Sequence, residues 1–199
     1  RLSQKFVTAR AVAIQEIDFE ATRAAAVERR DRAIARLDLY LEIFERNATA
    51  AGATVLFAES AAEASQMVVE IARRHEAKTV TKSKSMVSEE MALNDALRAA
   101  GVEPVETDLG EYILQINNNE PPSHIIAPVI HKDKEEISAL FAKVHDRPPL
   151  SDIPQLTREA REQLRPKFLR SDMGVTGGNF VIAETGSGAL VTNEGNEGM

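Results

Sequence analysis

TVTKSKSMVSEEMALNDALRAAGVEPVETDLGE, residues 79 to 111, decides the fold. It opens on a short run rich in β-branched residues, Thr79 to Lys82. It then passes into a helical pattern from Ser88 to Ala100 carried by Met91, Ala92 and Leu97, and returns to a second short run, Pro104 to Thr107. Strand, helix, strand in this order is the layout of a parallel sheet with helices on its faces.

Outward from this stretch the alternation continues. Thr54 to Ala58 and His124 to Val129 read as further strands. Helical spacing recurs over Ala61 to His75 (Ala64, Met67, Val68, Ile71, Ala72), more weakly over Leu109 to Asn117, and over Lys134 to Val144 (Ile137, Leu140, Phe141, Val144). Arg147 to Pro149 breaks the pattern, and Pro154 to Arg170 predicts a connecting helix that Pro166 kinks or stops. Two runs, Met173 to Glu184 and Ala189 to Asn193, flank Thr185-Gly186-Ser187-Gly188 and predict a late β-hairpin. The expected class is α/β, with a mixed, mainly parallel sheet flanked by helices.

Ahead of this region, Val27, Ile34, Leu37, Leu41, Phe44, Ala48 and Ala51 recur on one stripe. They predict one long N-terminal helix from Asp18 to Ala51, roughly 45 to 50 Å in length, which Gly52 stops. The organisation expected is therefore a helical arm over residues 1–51 and an α/β domain over residues 52–199. The chain begins without Met and stops at Asn196-Glu197-Gly198-Met199, straight after a strand-like run, so a fragment truncated at its C-terminal end is expected.

The 199 residues carry a net charge of -7, which argues against nucleic-acid binding, because phosphate neutralisation needs Lys and Arg in excess. No apolar window is long enough to span a bilayer, and the start lacks a secretory layout, so a cytoplasmic protein is expected. With no Cys, the segment can supply no thiolate to an iron–sulfur cluster and no disulfide. GxxxxGK[ST], GxGxxG and HExxH are all absent, so no nucleotide cofactor or metal is expected on this segment.

In open α/β sheets ligands bind beyond the carboxyl ends of the strands. Lys82, Lys84 and Ser85 follow the first run of the decisive stretch and suit a carboxylate or phosphate, although Ser88 also reads as a plain helix cap. Glu106 follows the second run. Asp108 and Glu111 beside it have capping-box spacing, which leaves Glu106 as the carboxylate in need of an explanation. His131 stands at the mouth of the His124 to Val129 run as a general base or anion donor, with Asp133 placed to cap the next helix. Asn179, Glu184, Thr185 and Asn196 adjoin glycines, where a ligand can approach the backbone closely, and where turns also form. His75, His124 and His145 mark element ends and are set aside.

Taken together, Lys82-Ser-Lys-Ser-Met86, Glu106-Thr-Asp-Leu-Gly-Glu111, Pro122-Ser-His-Ile-Ile-Ala-Pro-Val-Ile-His131, Gly178-Asn-Phe-Val-Ile-Ala-Glu-Thr-Gly186 and Thr192-Asn-Glu-Gly-Asn196 resemble the LUD domain of lactate-utilization proteins. The order and spacing are closest to the larger, iron–sulfur-bearing members, from about Leu37 onward. The resemblance implies a fold similar to the isomerase and coenzyme A transferase superfamily. It also implies a role in oxidising L-lactate to pyruvate beside other lactate-utilization subunits, with a small carboxylate metabolite as ligand. The 4Fe-4S clusters of such members follow the LUD domain, outside the present residues. Two other readings compete: a stand-alone acyl or coenzyme A transferase-like enzyme with Glu184 as nucleophile, and a non-catalytic assembly module whose working surface is the Val27 to Ala51 stripe.

Overall fold

The structure is a computed structural model that describes residues 2–124, 127–192 and 195–196. The chain divides into two compact units, residues 1–55 with 181–188, and residues 56–180 with 189–199.

The larger unit is built on a three-stranded parallel sheet of β1 (Thr79–Lys82), β2 (Glu103–Glu106) and β3 (Met173–Val175), in the order β2-β1-β3. The register pairs Val80 with Pro104 and Met173, and Lys82 with Glu106 and Val175. Side chains alternate across a strand and paired residues share a face. Val80, Lys82, Glu106, Met173 and Val175 therefore look to one side of the sheet, and Thr81 and Val105 to the other. Each side has its own core. On the first, Val80 packs with Val69 and Ala72 of α4 (Ala61–Arg74) and with Leu93 and Leu97 of α6 (Leu93–Ala99). On the second, Val105 packs with Tyr112 and Ile113 of α7 (Leu109–Ile116), Phe141 of α8 (Lys134–His145), and Leu156, Ala160 and Leu164 of α9 (Ile153–Arg170). Each fully buried Leu or Phe contributes about 1.5 to 3 kcal/mol.

The α/β class and the crossover from β1 to β2 agree with the sequence, and the differences have local causes. The helix expected over Ser88 to Ala100 is two, α5 (Met86–Glu90) and α6, because Ala92 turns left-handed at φ 49°. The cap of α5 is Ser85, not Ser88, its hydroxyl accepting from the Ser88 N–H. Thr54 to Ala58 forms no strand and joins neither edge of the sheet. Within His124 to Val129, Ile125 and Ile126 lie outside the described residues, and the others form bends and turns instead of a strand. Pro166 neither stops nor ends α9, which runs through it to Arg170 on an exposed face where the freed carbonyl meets water. Asp133 caps α8 in a full capping box with Glu136, as the sequence anticipates.

The hairpin forms from β4 (Phe180–Ile182) and β5 (Ser187–Ala189) as a two-stranded antiparallel sheet of its own, and the larger sheet stays wholly parallel. Of the run Ala189 to Asn193, Asn193 lies outside the described residues.

In the smaller unit, α1 (Leu2–Ala13) and a short 3-10 turn precede α2 (Phe19–Ala35), whose N-terminus Asp18 caps by accepting from the Ala21 N–H. The single long helix is interrupted at Arg36 (φ -134°, ψ 36°), and α3 (Leu37–Ala50) follows. Gly52, at φ 94°, takes the conformation that stops α3. Val27, Ile34 and Leu37 of the apolar stripe are exposed, and Ala48 is buried. The Asn47 amide of α3 donates to the carbonyls of Ala183 and Glu184. Gly186 (φ 69°) closes the hairpin so near α3 that a Cβ there would lie 2.2 Å from the Ala48 nitrogen. No helix among the described residues is long and apolar enough to cross a membrane.

Candidate functional site

Parallel strands end on one side, and the loops after β1, β2 and β3 collect there. One cavity of the larger unit is lined from these loops, and a smaller one is lined by α5, α6 and α7 beside Glu106 of β2.

The wider, of 740 Å³, is lined by Lys84 and Ser85 after β1, Asp108 after β2, Thr176 and Gly177 after β3, and by Asn179 and Asn196. Lys84 Nζ lies 3.3 Å from Asp108 Oδ2. Asp108 is itself fixed as the cap of α7, its Oδ1 accepting from the N–H groups of Gly110 and Glu111. Asn179 Oδ1 accepts from the Val191 N–H at 2.7 Å, which leaves its Nδ2 as the donor. Asn196 Nδ2 donates to Thr107 Oγ1, and that hydroxyl donates to the Lys82 carbonyl at the end of β1. Gly177 allows the loop after β3 to close on Ser85, since a Cβ there would stand 3.1 Å from the Ser85 hydroxyl.

The smaller cavity, of 210 Å³, is lined by Glu89, Asn94, Glu106, Glu111 and Gln115, among others. Its floor follows from the β1/β2 register, which sets Lys82 beside Glu106 on one face. Lys82 Nζ lies 2.9 Å from Glu106 Oε1 and 2.7 Å from Glu89 Oε1, and donates to Ser88 Oγ at 3.1 Å. Asn94 Nδ2 donates to the same Glu106 Oε1 at 2.6 Å. Burial alone pulls the Lys82 ammonium down, yet two carboxylates more than offset it and hold its pKa above the ordinary lysine value. Glu111 forms no ion pair among the described residues, and the Lys82 charge only partly offsets what surrounds it. Burial first, then the charges of Glu89, Glu106 and Asp108, push its carboxyl up to about 7.

The sequence-predicted residues thus part into groups. Lys84, Ser85, Asn179 and Asn196 meet on the wider cavity. Lys82 and Glu106 pair with each other in the interior instead of lining that cavity. His131 is held in a surface cluster, its Nε2 2.7 Å from Glu120 Oε1 and its Nδ1 2.5 Å from Ser123 Oγ. Lys132, Asn117 and His131 together hold the Glu120 carboxyl down to about 2. Glu184 and Thr185 belong to the other unit, in the hairpin turn tied to α3, where Thr185 Oγ1 donates to Ser187 Oγ. Asn193 and Glu194 lie outside the described residues.

Sequence reasoning missed Glu111 and Asn94. The capping-box spacing pointed to Glu111, but only Asp108 completes its half of the box. Position 94 gave no signal until the α5/α6 break turned its amide onto Glu106. It also set aside His145, whose ring lies 2.7 Å from Glu159 Oε1 and 2.9 Å from the Tyr112 hydroxyl. That set joins α7, α8 and α9 through the second core and accounts for a Tyr112 hydroxyl pushed up to about 12, by burial first and the Glu159 charge second. No group of three or more His, Cys, Asp or Glu able to hold a metal occurs among the described residues.

An α/β domain with anion-suited side chains at its strand ends is the class the geometry defines, and comparison supplies the family. Residues 41–199 match the LUD domain, and the chain belongs to the LUD domain family. It is 48% identical over 195 residues to lactate utilization protein B of Shouchella clausii, covering 97% of this chain and 41% of that protein. Over 182 residues it is 48% identical to lactate utilization protein B of Macrococcus caseolyticus, covering 92% of the chain and 38% of that protein. The protein of the same name from Bacillus subtilis is 45% identical over 194 residues, which is 97% of the chain and 40% of that protein. The chain thus spans about two fifths of the length of these curated relatives. No solved structure is significantly similar to it.

Proposed function

We propose that the chain is the metabolite-holding LUD portion of an L-lactate utilization protein, and that the wider cavity receives the carboxylate of L-lactate or pyruvate. One observation carries this reading: Lys84 and Ser85, Asn179, and Asn196, from three separate places in the sequence, converge on one cavity at the carboxyl ends of parallel strands. The Lys84 ammonium supplies the charge, and the Ser85 hydroxyl and Asn179 Nδ2 supply neutral donors to the carboxylate oxygens. The relatives named for lactate utilization support the choice of ligand.

Oxidation of L-lactate to pyruvate removes two electrons and two protons. With no Cys in the chain and no metal-holding group among the described residues, these residues do not fit an iron–sulfur cluster. In this reading electron transfer belongs to parts of the whole protein, or to partner subunits, beyond these 199 residues. The work of the present residues is to bind and orient the acid in a cytoplasmic complex.

A thermal-shift titration with L-lactate, pyruvate, glycolate and a coenzyme A thioester tests this. A ligand at 100 times its dissociation constant adds about 2.7 kcal/mol. Stabilisation by lactate or pyruvate that is lost in Lys84→Ala is expected. A response to the thioester alone would replace the reading with acyl transfer.

A further inference from the structure

A third cavity of the larger unit, of 740 Å³, lies against α9 beside the second core. Its apolar lining includes Leu109 and Phe168, both half-buried, and Leu169, which is 75% exposed. Its charged lining is Arg161 and Arg165. No Asp or Glu lines it among the described residues, in a chain with 31 acidic against 24 basic side chains. The two arginines stand four residues apart on one helix, about 5 to 6 Å between Cβ atoms, where like charges repel and weaken the helix. The acids of α9 relieve neither, because Glu159 is taken by His145 and Glu162 by Arg147. Neither guanidinium meets a carboxylate or any other polar partner among the described residues. The lining hydroxyls are already spent within the protein: Thr107 donates to the Lys82 carbonyl and Thr157 to the Ile153 carbonyl. What the cavity offers is two adjacent, uncompensated guanidinium groups over an apolar surface.

We propose that this cavity binds a small organic phosphate, an aromatic body carrying one phosphate monoester, with the phosphate on Arg161 and Arg165 and the body against Leu109, Phe168 and Leu169. A phosphate monoester brings close to two negative charges at neutral pH and three acceptor oxygens, enough to engage both planar guanidinium forks at once. A carboxylate carries one charge and would leave one arginine uncompensated. Inorganic phosphate would satisfy the arginines and leave the apolar lining wet, whereas an aromatic body covers it and meets the Phe168 ring. The volume suits a molecule of this size, since small-molecule pockets run from about 300 to 1,000 Å³. The site shares only Asn196 with the carboxylate cavity. Its cations also differ: Lys84 there is set against Asp108, and the two arginines here stand against no acid. The proposal therefore does not rest on the lactate reading.

The test is calorimetric titration of the protein at constant ionic strength with 1-naphthyl phosphate, 1-naphthol and inorganic phosphate. Saturable binding of 1-naphthyl phosphate is expected, with each of the other two weaker by about tenfold or more, because each lacks one half of the recognition. Arg161→Gln and Arg165→Gln should each weaken the naphthyl phosphate by about tenfold, the loss of one charge-assisted contact. Arg158→Gln removes an equal charge from the same helix outside the cavity lining and should change nothing. Lys84→Ala should also leave this binding intact while it abolishes the response to lactate or pyruvate, so the two sites fail separately. Absence of saturable binding, equal affinity for inorganic phosphate or 1-naphthol, loss of binding in Lys84→Ala, or an Arg158→Gln effect as large as that of Arg161→Gln overturns the proposal.

Discussion

Lys82 keeps 1% of its side chain exposed, with its ammonium between Glu106 and Glu89. Lys84, two residues on, keeps 31%, touches Asp108 and lines the wider cavity. Alternation along a continuing strand would give the two lysines one face and one fate. They differ because β1 ends at Lys82. The last paired residue is held by the register against Glu106, and the chain then turns, with the Ser83 N–H donating to the Val175 carbonyl and its hydroxyl to Thr176 Oγ1. One lysine closes the interior and the next is delivered to the strand ends. Strand length, more than residue type, sets the division of labour.

The strongest way to break this comparison is at Lys82. Lys82→Ala leaves Glu106 in the interior with Asn94 as its remaining donor, and removing one partner of a buried pair costs about 3 to 5 kcal/mol. Urea denaturation should show that loss. The double variant Lys82→Met with Glu106→Leu should recover most of it, because a well-packed apolar pair needs no charge compensation. If Lys82→Ala costs under about 1 kcal/mol, the pair is not the interior tie described, and the contrast with Lys84 fails.

Glu111 gives a smaller and pH-dependent effect. Its folded pKa of about 7 stands above the ordinary 4.5, so the proton binds the folded state more tightly. The stability tied to this proton is fully present below about pH 4.5, declines as pH rises toward 7, and is gone above it. Glu111→Gln stays neutral throughout. It should match the parent near pH 4.5 and exceed it at pH 8 by about 1 to 2 kcal/mol, a modest figure because solvent in the cavity screens the carboxylate. Parallel stability curves for the two proteins would show that Glu111 does not titrate where its surroundings place it.

Much of this was legible in the sequence, and the rest depended on pairing. The run Thr79 to Lys82, the helix after it and the run at Pro104 named the parallel crossover, and Lys84, Ser85, Asn179 and Asn196 named the wider cavity. Thr54 to Ala58 looks the same as a strand, but a strand needs a pairing partner, and no local pattern reports whether one is met. The partnership of Lys82 with Glu106 was hidden for the same reason, since only the register brings them together across 24 positions. Asn94 reaches Glu106 through a left-handed Ala92, a residue with no propensity for that conformation. The break at Arg36 likewise has no Gly or Pro to announce it.

The finest test of the comparison compares two charge removals. Lys84→Ala deletes the same charge as Lys82→Ala from nearly the same point in the chain, but from a partly exposed pair, worth about 1 kcal/mol at most. Asp108 keeps both N–H bonds at the start of α7 after the change, so its carboxylate is not left unpaired. Urea midpoints should therefore lie close to the parent, while the stabilisation by lactate or pyruvate disappears. Lys84→Arg sharpens the point further. It keeps the charge and the pairing with Asp108, so an ammonium acting only as a point charge should be replaced with small loss of ligand response. A Lys84→Arg variant as silent toward the acid as Lys84→Ala would show that the compact ammonium itself is what the cavity requires, and that the wider guanidinium does not fit between Asp108 and Ser85.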